Sequence, residues 1–332
     1  MTREPAEHSA GLSESFTTAA VVGAGTIGLS WAALFAAHGM DVWVTDPRPD
    51  LAEAVDSALA SAASPLAHQG LDVQGITDRV HLAADVTEAV RNADVVQENG
   101  PENVGFKREL FATLVREAPK HALLLSSSSA IPSTVFTEGL EDASRVLIGH
   151  PFNPPHVVPL VEVVPGERTS EESVARAVEF YRCVGRLPVV ERKEIPGFVG
   201  NRLQNALSRE AIYLVEQGVV GPAELDLVVV NSLGLRWATV GPFLAAHLGG
   251  GPGGYRHMAE HIGASMQQMW DFGQPEQTPE QTERLVKAVE NAYGSGSWAQ
   301  LSQERDRRQI NVLSAVRGTA GGPATSGEQN PA

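Results

Sequence analysis

From residue 17 the chain alternates short apolar runs with longer amphipathic ones, and the two patterns predict different elements. TTAAVV and DVWVT read as strands, and the Ala-rich stretch between them, TIGLSWAALFAA, reads as a helix closing on Gly39. The alternation continues with helical LAEAVDSALASAASPLA, strand-like RVHLAA, ADVVQEN, HALLLSS and RVLIGH, and the amphipathic GFKRELFATLVREA between two of those strands. This order predicts an α/β fold, a doubly wound sheet with helices on its faces. LVEVV, residues 160–164, is a further apolar run with a carboxylate, Glu162, at its centre. A charge there must either find a buried partner or mark an edge strand with Glu162 turned outward, and the pattern alone admits both.

The pattern changes near residue 195. EIPGFVGNRLQNALSREAIYLVEQG begins in a turn and becomes a long helix with Val199, Leu203, Leu207, Ala211, Leu214 and Val215 along one stripe. Helical, Gly-punctuated sequence follows. We therefore expect a disordered arm over 1–15, a nucleotide-binding domain over 16–194, an all-α domain over 195–315 and a disordered tail over 316–332. The arm has neither the apolar run of a signal peptide nor that of a membrane anchor, and the tail is too rich in Gly, Pro, Ser and Thr to fold.

The first helix opens on Gly23-x-Gly25-x-x-Gly28, with Thr26 and Ile27 between the last two glycines. Gly23 permits the tight turn, Gly25 lets the backbone approach a pyrophosphate, and Gly28 lets helix and strand close on each other. The preceding strand, the following helix and Asp46 at the end of the second strand make this a Rossmann-type dinucleotide site. Asp46 suits the ribose hydroxyls and repels a 2′-phosphate, so the expected cofactor is NAD. Asp46 also suits the first position of the DPRPD turn. In such a sheet ligands gather at the carboxyl ends of the strands, here Glu98-Asn99, Ser126 to Ser129, and His150.

Composition narrows the class. The chain has 332 residues, 42% of them hydrophobic, and a formal net charge of −15. That charge disfavours nucleic acid and anionic membrane surfaces as partners. One cysteine, Cys183, excludes an internal disulfide, fits a reducing cytoplasmic setting, and reads as a small buried hydrophobe in a helix. No segment reaches the roughly 20 apolar residues of a membrane helix. His257 and His261 have the one-turn spacing of a helical metal pair but lack a third ligand, so no metal is expected. GGGPGG, residues 249–254, lacks the Lys-Ser/Thr of a phosphate loop and reads as a flexible loop.

The glycine motif with Asp46, the block QENGPENVGFKRELF, the serine run, GHPFNPP with LVEVV, and PGFVGNR, in this order, resemble the 3-hydroxyacyl-CoA dehydrogenase family over about residues 17–315. GLRWATVGPF resembles the branch that contains lambda-crystallin, L-gulonate 3-dehydrogenase and carnitine dehydrogenase. The resemblance implies a catalytic pair of His150 and Glu162, completed by Ser129 and Asn201, with Glu98, Lys107 and Ser129 near the cofactor. It also implies a homodimer formed through the helical domain. The residue types suit the oxidation of a secondary alcohol: imidazole takes the hydroxyl proton as hydride leaves, Glu162 stabilises the imidazolium, and Ser129 and Asn201 donate to the substrate oxygen. Asn201 also suits a helix cap.

The substrate reading rests on absences. Between Asp46 and Lys107 there is no lysine, and the only arginines are Arg48, Arg79 and Arg91, few for the phosphates of coenzyme A. Arg236 suits a free carboxylate on a small acid, or a surface ion pair. Trp237 reads as packing, with a cage for a cationic substrate as the alternative. The expected reaction is NAD-dependent oxidation of the 3-hydroxyl of a small, L-gulonate-like acid, with a 3-hydroxyacyl-CoA second and a non-catalytic structural protein third.

Overall fold

The computed structural model describes residues 16–261, 278–293 and 297–318. The expected arm, most of the expected tail and His261's neighbours beyond 261 lie outside them. The described residues fall into two compact units that divide between Arg202 and Leu203.

The first unit is built on an eight-stranded sheet. Its strands are β1 (Thr18–Val22), β2 (Asp41–Thr45), β3 (Val80–Leu82), β4 (Val95–Glu98), β5 (Leu123–Ser126), β6 (Val146–Pro151), β7 (Leu160–Pro165) and β8 (Leu187–Val190), in the order β3-β2-β1-β4-β5-β6-β7-β8. The first six are parallel in the dinucleotide-binding order, with the direction of winding reversing between β1 and β4. β7 runs antiparallel to β6, and β8 parallel to β7. Helices α1 (Thr26–Ala37), α2 (Leu51–His68), α3 (Val86–Val90), α4 (Val104–Glu117), α5 (Ser133–Thr137) and α6 (Glu171–Cys183) connect the strands.

The expected doubly wound architecture is present because each central strand is apolar on both faces. Val95, Leu123, Leu125 and Leu147 join one core with α1 and α6, and Val96, Leu124, Val146 and Ile148 join the other with α4 and α5. The alternation did not predict β8, whose LPVV is short and largely exposed. That missing strand decides the question at Glu162. β8 is the edge, β7 is interior, and Glu162 is 3% exposed, so the outward-facing edge reading is corrected. Cys183 ends α6 only half-buried, against the buried position expected for it.

Helix α7 (Phe198–Glu216) begins in the first unit and continues into the second. The second unit is entirely helical among its described residues, with α8 (Pro222–Val229), α9 (Leu235–Thr239), α10 (Pro242–Gly249), α11 (Gly254–His261) and helices Pro279–Tyr293 and Trp298–Gly318. Ile310 is its one buried apolar side chain among the described residues, while Leu203, Leu227, Val230, Leu235, Phe243 and Leu248 are exposed. No single described helix is long and apolar enough to cross a membrane.

Candidate active site

The glycine turn meets the requirements of a dinucleotide backbone. Gly23 has φ +98°, open to glycine and strained for other residues, and a Cβ at Gly28 would lie 1.9 Å from the Gly23 carbonyl. A Cβ at Gly25 meets nothing within 4 Å, so the loop presents open space there. Gly25 precedes α1, whose N-terminus has no side-chain cap and no acid in its first turn. The amides of Thr26 and Ile27 thus lie on a helix end that favours a diphosphate. Asp46 follows β2; its Oδ2 accepts from the Ala24 amide at 2.7 Å and its Oδ1 from the Arg48 amide at 2.9 Å. The turn role and the position beside the glycine loop therefore coexist, and each carboxylate oxygen keeps a lone pair for a ribose hydroxyl. These residues fit NAD.

His150 and Glu162 are direct cross-strand partners in the β6–β7 ladder. His150 Nδ1 lies 2.7 Å from Glu162 Oε2, with both residues buried. A carboxylate accepts only, so Nδ1 carries the proton and Nε2 is left as the exchangeable nitrogen. Nε2 has no protein partner among the described residues. The imidazole is flanked by Phe152 and Phe198, with ring centroids 5.2 and 5.5 Å away. Burial pushes the Glu162 carboxyl up, but the His150 hydrogen bond and the Gly200 amide on Oε1, at 2.7 Å, outweigh it and hold the group below its ordinary value.

That amide is delivered by a strained turn. Gly197 has φ +80° and Phe198 φ +49°, a conformation that costs a non-glycine residue about 1 to 3 kcal/mol. The turn aims the first amides of α7 at two acids: Gly200 N at Glu162, and Val199 N at Glu191 Oε1 at 2.8 Å. Glu191 itself touches Glu162. Phe152 and Phe198 lie inside the quoted motifs but were not singled out, and nothing in the sequence signalled Glu191, which only strand register and the α7 turn bring to the site.

The serine run is divided among three partners, Glu98, Asn99 and Glu102. Ser126 Oγ donates to Glu98 Oε2 at 2.5 Å, Ser127 Oγ to Asn99 Oδ1 at 2.7 Å, and Ser128 Oγ to Glu102. Ser129 is partly exposed; its amide and its Oγ both donate to Glu102 Oε1, at 2.5 and 3.0 Å. Asn201 Nδ2 donates to the Ser129 carbonyl at 2.8 Å. The structure thus brings Ser129 and Asn201 together, with one amide proton of Asn201 still available, while the Ser129 hydroxyl proton is directed to Glu102. Glu102 was missed although it lies inside the motif block, because a solvent-exposed acid carries no pattern signal.

Glu98 and Lys107 form a buried ion pair, with Nζ 2.9 Å from each carboxylate oxygen. Glu98 also takes the Gly100 amide at 2.6 Å. Their geometry props the loop after β4, and the approach of Asn99 to Gly23, whose Cβ position is 2.8 Å from the Asn99 carbonyl, links that loop to the glycine turn. Arg236, in the second unit, is exposed and makes no ion pair among the described residues. Trp237 is 44% exposed, which corrects the reading of it as packed. His257 and His261 stack on each other, and no described group of three or more His, Cys, Asp or Glu could hold a metal ion.

Two family models account for most of the chain: the NAD-binding domain of 3-hydroxyacyl-CoA dehydrogenase matches residues 18–195, and the C-terminal domain of the same enzyme matches 197–294. The chain belongs to the 3-hydroxyacyl-CoA dehydrogenase family. It is an NAD-dependent oxidoreductase. Similar proteins include a 3-hydroxyacyl-CoA dehydrogenase of Gibberella moniliformis, 39% identical over 95% of this chain and 100% of that protein. L-carnitine dehydrogenases of Streptomyces coelicolor and Streptomyces griseus are 40% and 41% identical over 91% of this chain, covering 96% and 91% of those proteins. Among solved structures, an NAD+-dependent dismutase, 5-formyl-3-hydroxy-2-methylpyridine 4-carboxylic acid 5-dehydrogenase, superposes with a TM-score of 0.77 at 30% identity, over 91% of this chain and 99% of the other.

Proposed function

We propose that this dehydrogenase oxidises the 3-hydroxyl of a small free acid to the ketone, with a quaternary-ammonium hydroxy acid of the carnitine type as the first candidate substrate. A 3-hydroxyacyl-CoA is the second reading, favoured by the Gibberella relative. The L-gulonate-like substrate expected from the branch motif gives way to carnitine because the Streptomyces relatives, which match along nearly the whole chain, are named for it. The observation that carries the reaction class is the His150–Glu162 bond, which leaves Nε2 of a buried imidazole free to take a proton.

Bound NAD supplies the hydride acceptor. Nε2 of His150 takes the hydroxyl proton as the carbon–hydrogen bond gives up its hydride, and Glu162 offsets the charge of the imidazolium. Asn201 donates its remaining amide proton to the oxygen that becomes the carbonyl, and Ser129 completes that contact once its hydroxyl turns from Glu102. Gly23, Gly25, Thr26, Ile27, Gly28 and Asp46 hold the cofactor, and Glu98 and Lys107 support its loop. Arg236, which makes no ion pair among the described residues, is the partner for the substrate carboxylate, and the neighbouring exposed Trp237 suits a quaternary ammonium.

We assign residues 16–194 to cofactor binding and 195–315 to substrate binding and dimerisation. The exposed apolar side chains of the second unit support a homodimer, since so many of them on its described helices favour a partner surface. The single, half-buried cysteine is in keeping with a reducing cytoplasm. The test is NADH formation with L-carnitine, L-gulonate and 3-hydroxybutyryl-CoA side by side. A kcat/KM for L-carnitine at least tenfold above the other two is expected, and preference for the thioester would transfer the assignment to the second reading.

A further inference from the structure

The carboxyl of Glu191 has no role in the site as described so far, yet it lies directly behind it. The residue follows the edge strand β8, and its amide donates to the Val163 carbonyl at 3.0 Å, which ties it to β7 next to Glu162. Glu191 is 7% exposed and Glu162 3%. Consecutive amides of the α7 turn hold one oxygen of each, Val199 N on Glu191 and Gly200 N on Glu162, and so bring the two buried carboxyl groups side by side. Among the described residues, Glu162 pairs only with His150, and neither acid forms an ion pair with Lys or Arg. The neighbours Arg192 and Lys193 are exposed. The charged and titratable groups facing Glu191 are therefore Glu162 on β7 and His150 on β6, while α7 contributes backbone amides and aromatic rings.

Two carboxyl groups cannot hydrogen-bond unless one keeps its proton. With a single imidazole to balance them, two buried negative charges in contact are strongly disfavoured. Glu162 already faces the proton of His150 Nδ1 and the Gly200 amide, so it is the natural carboxylate, and Glu191 is the natural acid. Burial and the adjacent Glu162 raise the Glu191 carboxyl above its ordinary value, against the opposing pull of the Val199 amide.

We propose that Glu191 is protonated in the working enzyme and donates a hydrogen bond to Glu162, making it a positioning residue that limits how strongly Glu162 draws on His150. The sequence of contacts is then Glu191 to Glu162 to His150 Nδ1, with Nε2 facing the substrate. This rests on the reading of His150 as the proton acceptor for its effect on rate, but the protonation itself does not depend on turnover.

Glu191→Gln and Glu191→Val separate the possibilities. Gln is the neutral isostere of protonated Glu: its amide donates to Glu162 and its carbonyl accepts from Val199. Glu191→Gln should keep the acid limb of the kcat/KM profile in place, while Glu191→Val, which gives Glu162 back its full charge, should move that limb to higher pH by about one unit. If Glu191 were an ionised carboxylate, Glu191→Gln would remove a negative charge near His150 and move the limb to lower pH, which overturns the proposal. The infrared spectrum of the substrate-free enzyme at neutral pH gives an independent answer that survives a poorly folded Val variant. A carboxylic-acid carbonyl band should be present in the wild type and lost in Glu191→Gln; its absence from the wild type also overturns the proposal. The band in a protein that oxidises none of the three hydroxy compounds would leave the shared proton standing and remove the proposed function instead.

Discussion

Two glutamates of the same sheet are buried against a basic side chain, and they are built for opposite ends. Glu98, at the end of β4, is fully enclosed and takes both contacts of Lys107, the Gly100 amide and the Ser126 hydroxyl. The lysine has no free face: it is 1% exposed, and among the described residues its ammonium lies against carboxylates alone, 2.9 Å from Glu98 and 3.9 Å from Glu102. Glu162, in the middle of β7, is as deeply buried but is paired with a residue that has two nitrogens and uses one. The first arrangement closes a loop. The second holds a proton site open, and the difference lies in the partner rather than in the acid.

Removing the open partner should have the largest effect. His150→Ala is expected to lower turnover by about 10² to 10⁴, the range for a lost general base, with NADH affinity by fluorescence titration and the melting temperature little changed. Turnover near the wild-type value would place His150 with Lys107 as a structural group.

Removing the closed partner should show the reverse. Lys107→Met leaves the Glu98 charge buried without its cation and should cost roughly 3 to 5 kcal/mol of stability, read from the denaturant midpoint. Adding Glu98→Gln should recover part of that loss, since the uncompensated charge is then gone. A Lys107→Met enzyme of unchanged stability but reduced turnover would erase the contrast.

A third acid lies between these cases. Asp46 accepts two backbone amides where Glu98 accepts one, but is only partly buried and follows β2 beside the glycine loop. NAD should be preferred over NADP by at least tenfold in kcat/KM, about 1.4 kcal/mol, and Asp46→Ala should narrow that margin. Equal use of both cofactors by the wild type would show that the turn is its whole role.

The smallest effect concerns pH. The Glu162 carboxyl is held below its ordinary value in the folded chain, so its contribution to stability is present above the unfolded value and is lost as pH falls through the folded one. Melting temperature should therefore fall on the acid side of the ordinary carboxylate range, and Glu162→Gln should flatten that decline. A decline of equal slope in the variant would assign acid sensitivity to other carboxylates.

Much of this molecule is legible in the chain because local rules govern it. The glycine turn, the alternation of strands and helices, and the spacing of the motif block depend on backbone freedom and hydrophobic period, which are properties of short segments. Asp46 and His150, at the ends of their strands, could be named on that basis, and the pairing of His150 with Glu162, with Asn201 and Ser129, through the resemblance. The edge reading of Glu162 could not be excluded, because β8 has too few buried residues to announce itself.

The sequence by itself determined that a dinucleotide sheet would form, where its ligand-bearing strand ends would fall, and which histidine and acid lay within reach of them. Only the tertiary structure decided that Glu162 is interior, that its bond goes to Nδ1, and that Glu191, 29 positions further along the chain, stands behind it. The reason is physical. A side chain's surroundings are set by strand order and register, which bring distant segments together, and a turn of positive φ at Gly197 and Phe198 then supplies the amides that make two buried acids tolerable side by side.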